Sequence, residues 1–102
     1  MSDLLEYLTN WVGRQRSDLE TNGLTVAIDV SAHDRENRSA WVDIDSADRL
    51  VRLTVWESGE ATLSVGEVAS GLLLADEQLQ VSGVFGLEQA LGAAVAWAQG
   101  RP

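Results

Sequence analysis

Residues 39 to 65 hold three consecutive segments in which apolar and polar side chains alternate with period two. Successive side chains of a strand point to opposite faces, so a one-residue slip in pairing reverses every one of them. The turns must therefore keep the alternation in phase. Between SAWVDID (39 to 45) and LVRLTVW (50 to 56), a four-residue loop at 46 to 49 pairs Asp45 with Leu50. Ile44 then faces Val51, Val42 faces Leu53 and Ala40 faces Val55, and the apolar face stays whole. In the next hairpin, a two-residue Ser58-Gly59 turn would set Val55 against Thr62 and mix the faces. A three-residue loop of Glu57, Ser58 and Gly59 instead sets Val55 against Ala61, Leu53 against Leu63 and Val51 against Val65. It also puts Gly59 where such hairpins take a left-handed residue and a bulge, so phase and turn chemistry select the same loop.

The flanking sequence supplies what this sheet packs against. Residues 3 to 21 read as an amphipathic helix, with Leu4, Leu5, Leu8, Trp11, Val12, Gln15 and Leu19 on one stripe that only Gln15 interrupts. Ser2 suits its N-cap, Asp3 suits the positive helix end, and Asn22-Gly23 is its stop signal. Leu24, Val26, Ile28 and Val30 alternate through a first strand, and SAHDRENR (31 to 38) is a polar loop. Residues 60 to 68 form the fourth strand. Ser70-Gly71 signals a turn, and LLLADEQLQV (72 to 81) returns as a fifth strand with the weakest pattern of the set. Residues 86 to 98 close the chain as a helix through Leu87, Ala90, Leu91, Ala94, Val95 and Ala98, with Gly92 expected to allow close packing on the sheet. This order implies an α+β fold over a single domain, residues 1 to 102. Its four- to five-stranded antiparallel meander carries the N- and C-terminal helices on one face. The other face is left to water, as antiparallel sheets permit.

That open face can be written out. Asp43 lies opposite Arg52, an opposite-charge pair worth ~0.2–1 kcal/mol. Trp41 lies opposite Thr54, which faces Thr62. Trp56 lies opposite Glu60 and diagonal to Trp41. Trp and Arg are enriched where interfaces carry most of their binding energy. Trp41, Asp43, Arg52, Thr54, Trp56, Glu60 and Thr62 are therefore the candidate partner-binding residues. Three readings of the face stay open: a partner surface; a surface covered by residues 31 to 38, the C-terminal tail or a second copy; and plain support of cross-strand neighbours. An exposed sheet edge is a further candidate interface. Trp11 and Trp97 fall on the apolar sides of their helices and read as core.

Charge and chemistry narrow the function classes. With 16 acidic and 7 basic residues the net charge is −9, which repels nucleic acid and anionic membranes and favours a basic partner. There is no cysteine, so disulfides and thiolate metal sites are excluded. The segment MSDLLEYLTNW lacks the basic flank and apolar run of a signal peptide. No apolar stretch approaches the roughly 20 residues that span a bilayer, so a cytoplasmic protein is expected. His33, the single histidine, sits in the polar loop beside Asp34. Ser31, His33 and Asp34 are too close in sequence to take up a triad's three-part geometry. Asp43, Asp45 and Asp48 lack the glycine and terminal Glu of a calcium loop. Arg14/Arg16 and Arg35/Arg38 read as solvated charge. No cofactor and no catalytic activity are expected.

The segments Ser39-Ala40-Trp41-Val42-Asp43 and Leu53-Thr54-Val55-Trp56-Glu57-Ser58-Gly59-Glu60 resemble the TriTu family of bacterial immunity proteins. The likeness extends to the N-terminal amphipathic helix with its early Trp, the central strands and the C-terminal helix. It implies a cytosolic antitoxin that protects a cell from the secreted toxin domain encoded beside it. The toxin associated with that family is an ADP-ribosyltransferase that modifies elongation factor Tu, and binding over or near its active cleft would neutralise it. The expected partner is that toxin domain, and the expected state is a monomer or weak homodimer. A reading of a different class stands beside it: a small acidic secretion or effector chaperone, holding an extended effector segment against the sheet.

Overall fold

The computed structural model describes residues 3–30 and 38–100. The capping role expected of Ser2 and the loop readings of Ser31, His33, Asp34 and Arg35 fall outside the described residues. Helix α1 (Asp3–Thr21) is followed by strands β1 (Thr25–Val30), β2 (Ser39–Asp45), β3 (Arg49–Trp56), β4 (Glu60–Glu67) and β5 (Leu73–Gln80), and then helix α2 (Gly83–Ala98). The strands lie in one antiparallel sheet in the order β1-β2-β3-β4-β5, so the fifth strand forms and the meander is complete.

The stop of α1 shows how local chemistry sets an element boundary. Gly23 takes φ +83°, and its N–H donates to Glu20 O at 3.1 Å while Leu24 N–H donates to Leu19 O at 3.0 Å. These are the two bonds of a Schellman cap, and Leu19 and Leu24, the apolar pair that accompanies it, are both buried. The chain thus leaves the helix already pointed into β1. Neither helix has a basic residue in its last turn. For α2 the sheet supplies one. Arg49 donates from a guanidinium nitrogen to Trp97 O at 3.1 Å, and its guanidinium carbon stands 5.4 Å from the Trp97 ring centre. A cation is thereby held against the negative end of the helix. Helix α2 begins three residues earlier than the apolar spacing indicates, because Gly83 and Gly86 disguise its first turn.

The registers follow the phase argument. Asp45 pairs with Leu50, Ile44 with Val51, Val42 with Leu53 and Ala40 with Val55. Val55 pairs with Ala61, Leu53 with Leu63 and Val51 with Val65. Every one of these inward residues except Asp45 and Leu50, which belong to the other face, is buried. Helix α1 lies across β1 to β3, α2 lies across β2 to β4, and the helices pack on each other. Leu8, Ile44, Leu53, Leu63, Leu87 and Leu91 are the largest side chains withdrawn from water. At ~1.5–3 kcal/mol for each fully buried side chain, this layer is the main source of stability.

Three expectations need correction. Gly92 faces open space, with no atom within 4 Å of a Cβ placed on it. It follows the buried Leu91 by one position, about 100° around the helix, and so turns away from the sheet. Arg14 and Arg16 are engaged rather than simply solvated. Arg14 lies 5.3 Å from the Tyr7 ring centre, and Arg16 donates to Val26 O at 2.8 Å, tying α1 to β1. Trp11 and Trp97 are only partly buried, packed at the margin of the core.

Candidate partner-binding face

The face turned away from the helices is built from the alternate residues of all five strands. Pairing aligns Asp29, Trp41, Thr54, Thr62 and Gln78 in one row across the sheet. Ala27, Asp43, Arg52, Ser64 and Asp76 form the next. Trp56 pairs with Ser39 across β2 and β3, and with Glu60 it flanks the three-residue turn of the β3-β4 hairpin. Among the described residues, no helix or strand packs over this surface. The structure therefore brings all seven candidate residues onto one face, with Trp41, Thr54, Trp56, Thr62 and Asp43 partly buried and Arg52 and Glu60 exposed.

At the centre is a fixed cation. Arg52 Nε donates to Asp43 Oδ1 at 2.7 Å and an Arg52 terminal nitrogen donates to Asp43 Oδ2 at 2.9 Å. The same guanidinium carbon lies 5.2 Å from the Trp41 ring centre. A fork-on-fork ion pair and a stacked indole together hold the arginine in one orientation. The hydrogen bonds that Arg52 donates to Asp43 raise the Arg52 pKa above its usual value, against a smaller lowering by burial, and the charges of Asp43, Asp45 and Asp29 act in the same upward direction. Asp45 lies on the same face. Burial raises its pKa, countered in part by the bond its Oδ1 accepts from Val51 N–H at 3.1 Å. With Asp29, Glu60 and Asp76 added, Arg52 stands among acids, and the face as a whole favours a basic counterpart.

The hairpin that carries Trp56 is braced by residues that periodicity does not mark. Glu57 N–H donates to Arg38 O at 2.8 Å, and the Glu57 carboxylate accepts from Arg38 N–H at 3.0 Å. Gly59 takes φ +98° and donates to Trp56 O at 2.9 Å, while its own carbonyl accepts from Val81 N–H at 2.7 Å. A Cβ there would stand 2.8 Å from Val81 O. The turn is therefore clamped on one side by the entry to β2 and on the other by the exit from β5. Only the glycine was visible beforehand, because the Glu57 and Val81 contacts depend on chain brought in from elsewhere.

A concavity lies elsewhere. A hollow of about 650 Å³ opens at the far end of the sheet, where the helix C-termini meet the 46–48 loop, lined by Asn22, Leu24, Asp48, Arg49, Glu67 and Gln99 among others. Among its described lining residues the one cation, Arg49, is committed to Trp97, and of its carboxylates Glu67 accepts from Ser70 Oγ at 2.6 Å. No group of His, Cys, Asp and Glu capable of holding a metal occurs among the described residues. Among those residues no helix is long and apolar enough to cross a membrane. Size alone does not make the hollow a site. The indole and guanidinium face offers the chemistry of recognition instead.

No curated protein matches the chain. A family model described as immunity protein TriTu matches residues 6–97, from the first turns of α1 to the last turn of α2, and takes in all five strands. With most of its length covered, the α+β chain with the open Trp-Arg face belongs to the TriTu family of immunity proteins.

Proposed function

We propose that this protein protects the cytoplasm of its own cell by binding a cognate toxin domain through the open sheet face, neutralising it by occupancy without chemistry of its own. The toxin, on this reading, is an ADP-ribosyltransferase that acts on elongation factor Tu. The observation that carries the site is the arrest of Arg52 between Asp43 and Trp41 on a surface that no described element covers. Side chains ordered before binding lose little rotamer freedom on contact, so their interactions reach affinity almost undiminished. The net charge of −9 supports a basic partner surface and fast association with it.

The test is co-expression. The toxin domain encoded beside this chain is produced in a susceptible bacterium with the wild type or with Trp56→Ala, and growth and ADP-ribosylation of elongation factor Tu are followed. The wild type should restore growth and abolish the modification. Trp56→Ala, folded and equally abundant, should bind at least ~30-fold more weakly, a loss of ~2 kcal/mol typical of a central indole. Rescue by both proteins at equal affinity would move the interface off this face. A toxin that, produced alone, halts growth while leaving elongation factor Tu unmodified would discard the assigned target.

A further inference from the structure

The exposed apolar side chains of this molecule are concentrated along one border. Of eight large hydrophobic residues exposed among those described, six lie between positions 68 and 85: Val68, Leu72, Leu73, Leu74, Val84 and Phe85. They flank β5 at both ends, and Leu72, Leu73 and Phe85 are 62%, 63% and 73% exposed. A run of this kind on a small soluble protein marks contact with another molecule.

Strand β5 is one of the sheet's two edges. Among the described residues it pairs with β4 on one side and with no strand on the other. Helix α2 reaches over β2 to β4 and stops short of it. The register brings Ala75, Glu77 and Leu79 onto the helix side, in line with the buried Val65, Leu63 and Ala61. Glu77 thus puts a carboxylate where the row of Val42, Leu53 and Leu63 would be continued by an aliphatic residue. It borders a groove of about 270 Å³ between β5 and α2, lined by Leu63, Leu79, Val81, Ala90 and Ala93. No described cation pairs with it.

The free backbone has a definite pattern. Val81 N–H bonds inward to Gly59 O, and antiparallel pairs alternate between bonded and non-bonded. Asp76 and Gln78, which face Ser64 and Thr62, therefore turn their N–H and C=O groups to the unpaired side.

We propose that β5 is a docking edge, to which an extended segment of the partner adds as a sixth strand with a Lys or Arg against Glu77 and apolar residues two positions away on either side. The inference rests on the reading that the partner is a protein toxin. A second copy of this chain fits poorly. A two-fold pairing of β5 about its middle sets Glu77 against Glu77 or Asp76 against Asp76, and like charges directly opposed repel. An inward charge on an edge strand guards against self-pairing, and here the same group selects a basic guest.

The test uses the full chain and a catalytically inactive form of the toxin domain encoded beside it. Titration should give at least ~10-fold weaker binding for Glu77→Lys, which reverses the charge. It should give a similar loss for Gln78→Pro, which removes an outward N–H and leaves the backbone ladder to β4 intact, giving up only the 3.4 Å side-chain bond from Thr62 Oγ1. In the wild-type complex the amides of Asp76 and Gln78 should exchange hydrogen far more slowly than in the free protein. Unchanged affinity in both variants, or unprotected amides, overturns the docking edge while leaving the immunity reading intact. A wild type that does not bind the toxin domain overturns both. A wild-type dimer that Gln78→Pro takes apart assigns the edge to self-association and overturns the proposal.

Discussion

The two faces of the sheet are made from the same strands, residue by alternate residue, yet they follow different rules. The helix face is uniform: Ala40, Val42, Ile44, Val51, Leu53, Val55, Ala61, Leu63 and Val65 are all shielded from water. Any aliphatic of similar volume would meet its requirement, because burial is non-directional. The open face is particular. It holds two indoles, one clamped guanidinium and several carboxylates, whose worth depends on direction and on what arrives to meet them. Stability is concentrated on the first face, and recognition is proposed for the second.

Substitutions can break this division, the largest effect first. Leu53→Ala, at the centre of the helix face, should cost about 2–5 kcal/mol in urea unfolding through lost burial and the cavity left behind. A loss below ~1 kcal/mol would mean the core is not centred there. Gly59→Ala tests the point where the faces meet. Its positive φ and the 2.8 Å approach to Val81 O should cost about 1–3 kcal/mol, read as a lower urea midpoint. If it costs nothing, the turn relaxes freely and cannot be what orders Trp56.

The open face should respond weakly in stability. A double-mutant cycle with Asp43→Ala and Arg52→Ala should give a coupling of only ~0.5–1 kcal/mol, since Arg52 is half exposed and solvent screens the pair. A much larger value would show that the ion pair supports the fold. Asp45 sharpens the same point through pH. Burial raises its pKa in the folded state, so the native protein holds this proton more tightly than the unfolded chain does. The ionised form is a destabilising contribution at neutral pH, and it is relieved as pH falls through the folded pKa. Asp45→Asn keeps an oxygen for Val51 N–H and removes the charge. It should leave stability equal or raise it by ~0.5 kcal/mol or less at neutral pH, with the difference closing in acid. A destabilised Asn variant at neutral pH would show that the carboxylate's hydrogen bond outweighs its burial.

The helix face was legible in advance because two turn lengths had to agree with one phase, and only one register satisfied both. The positions of Trp41, Arg52 and Trp56 followed from that register at no further cost in assumption. What stayed hidden depends on distant chain. In LLLADEQLQV the three leucines break the period, and a bulge beside Gly66 lets the run continue past the point where alternation fails. Glu77 consequently could not be assigned to the helix side before β5 was registered against β4. The same holds for Arg16 on Val26 and Arg49 on Trp97, contacts between different elements separated by 10 and 48 residues. A reader of periodicity has no means of pairing them.

The meander has a consequence in time as well as in space. Every strand pairs with its neighbour in the chain, so each step of the sheet closes a short loop, and folds with local contacts form quickly. Only α1 and α2 join distant parts of the sequence, and α2, which follows all five strands in the chain, covers the middle ones. Synthesis therefore delivers a nearly assembled sheet to the ribosome exit before its cover arrives. For a member of an immunity family, the interval between translation and readiness is set by that one helix of sixteen residues, Gly83–Ala98.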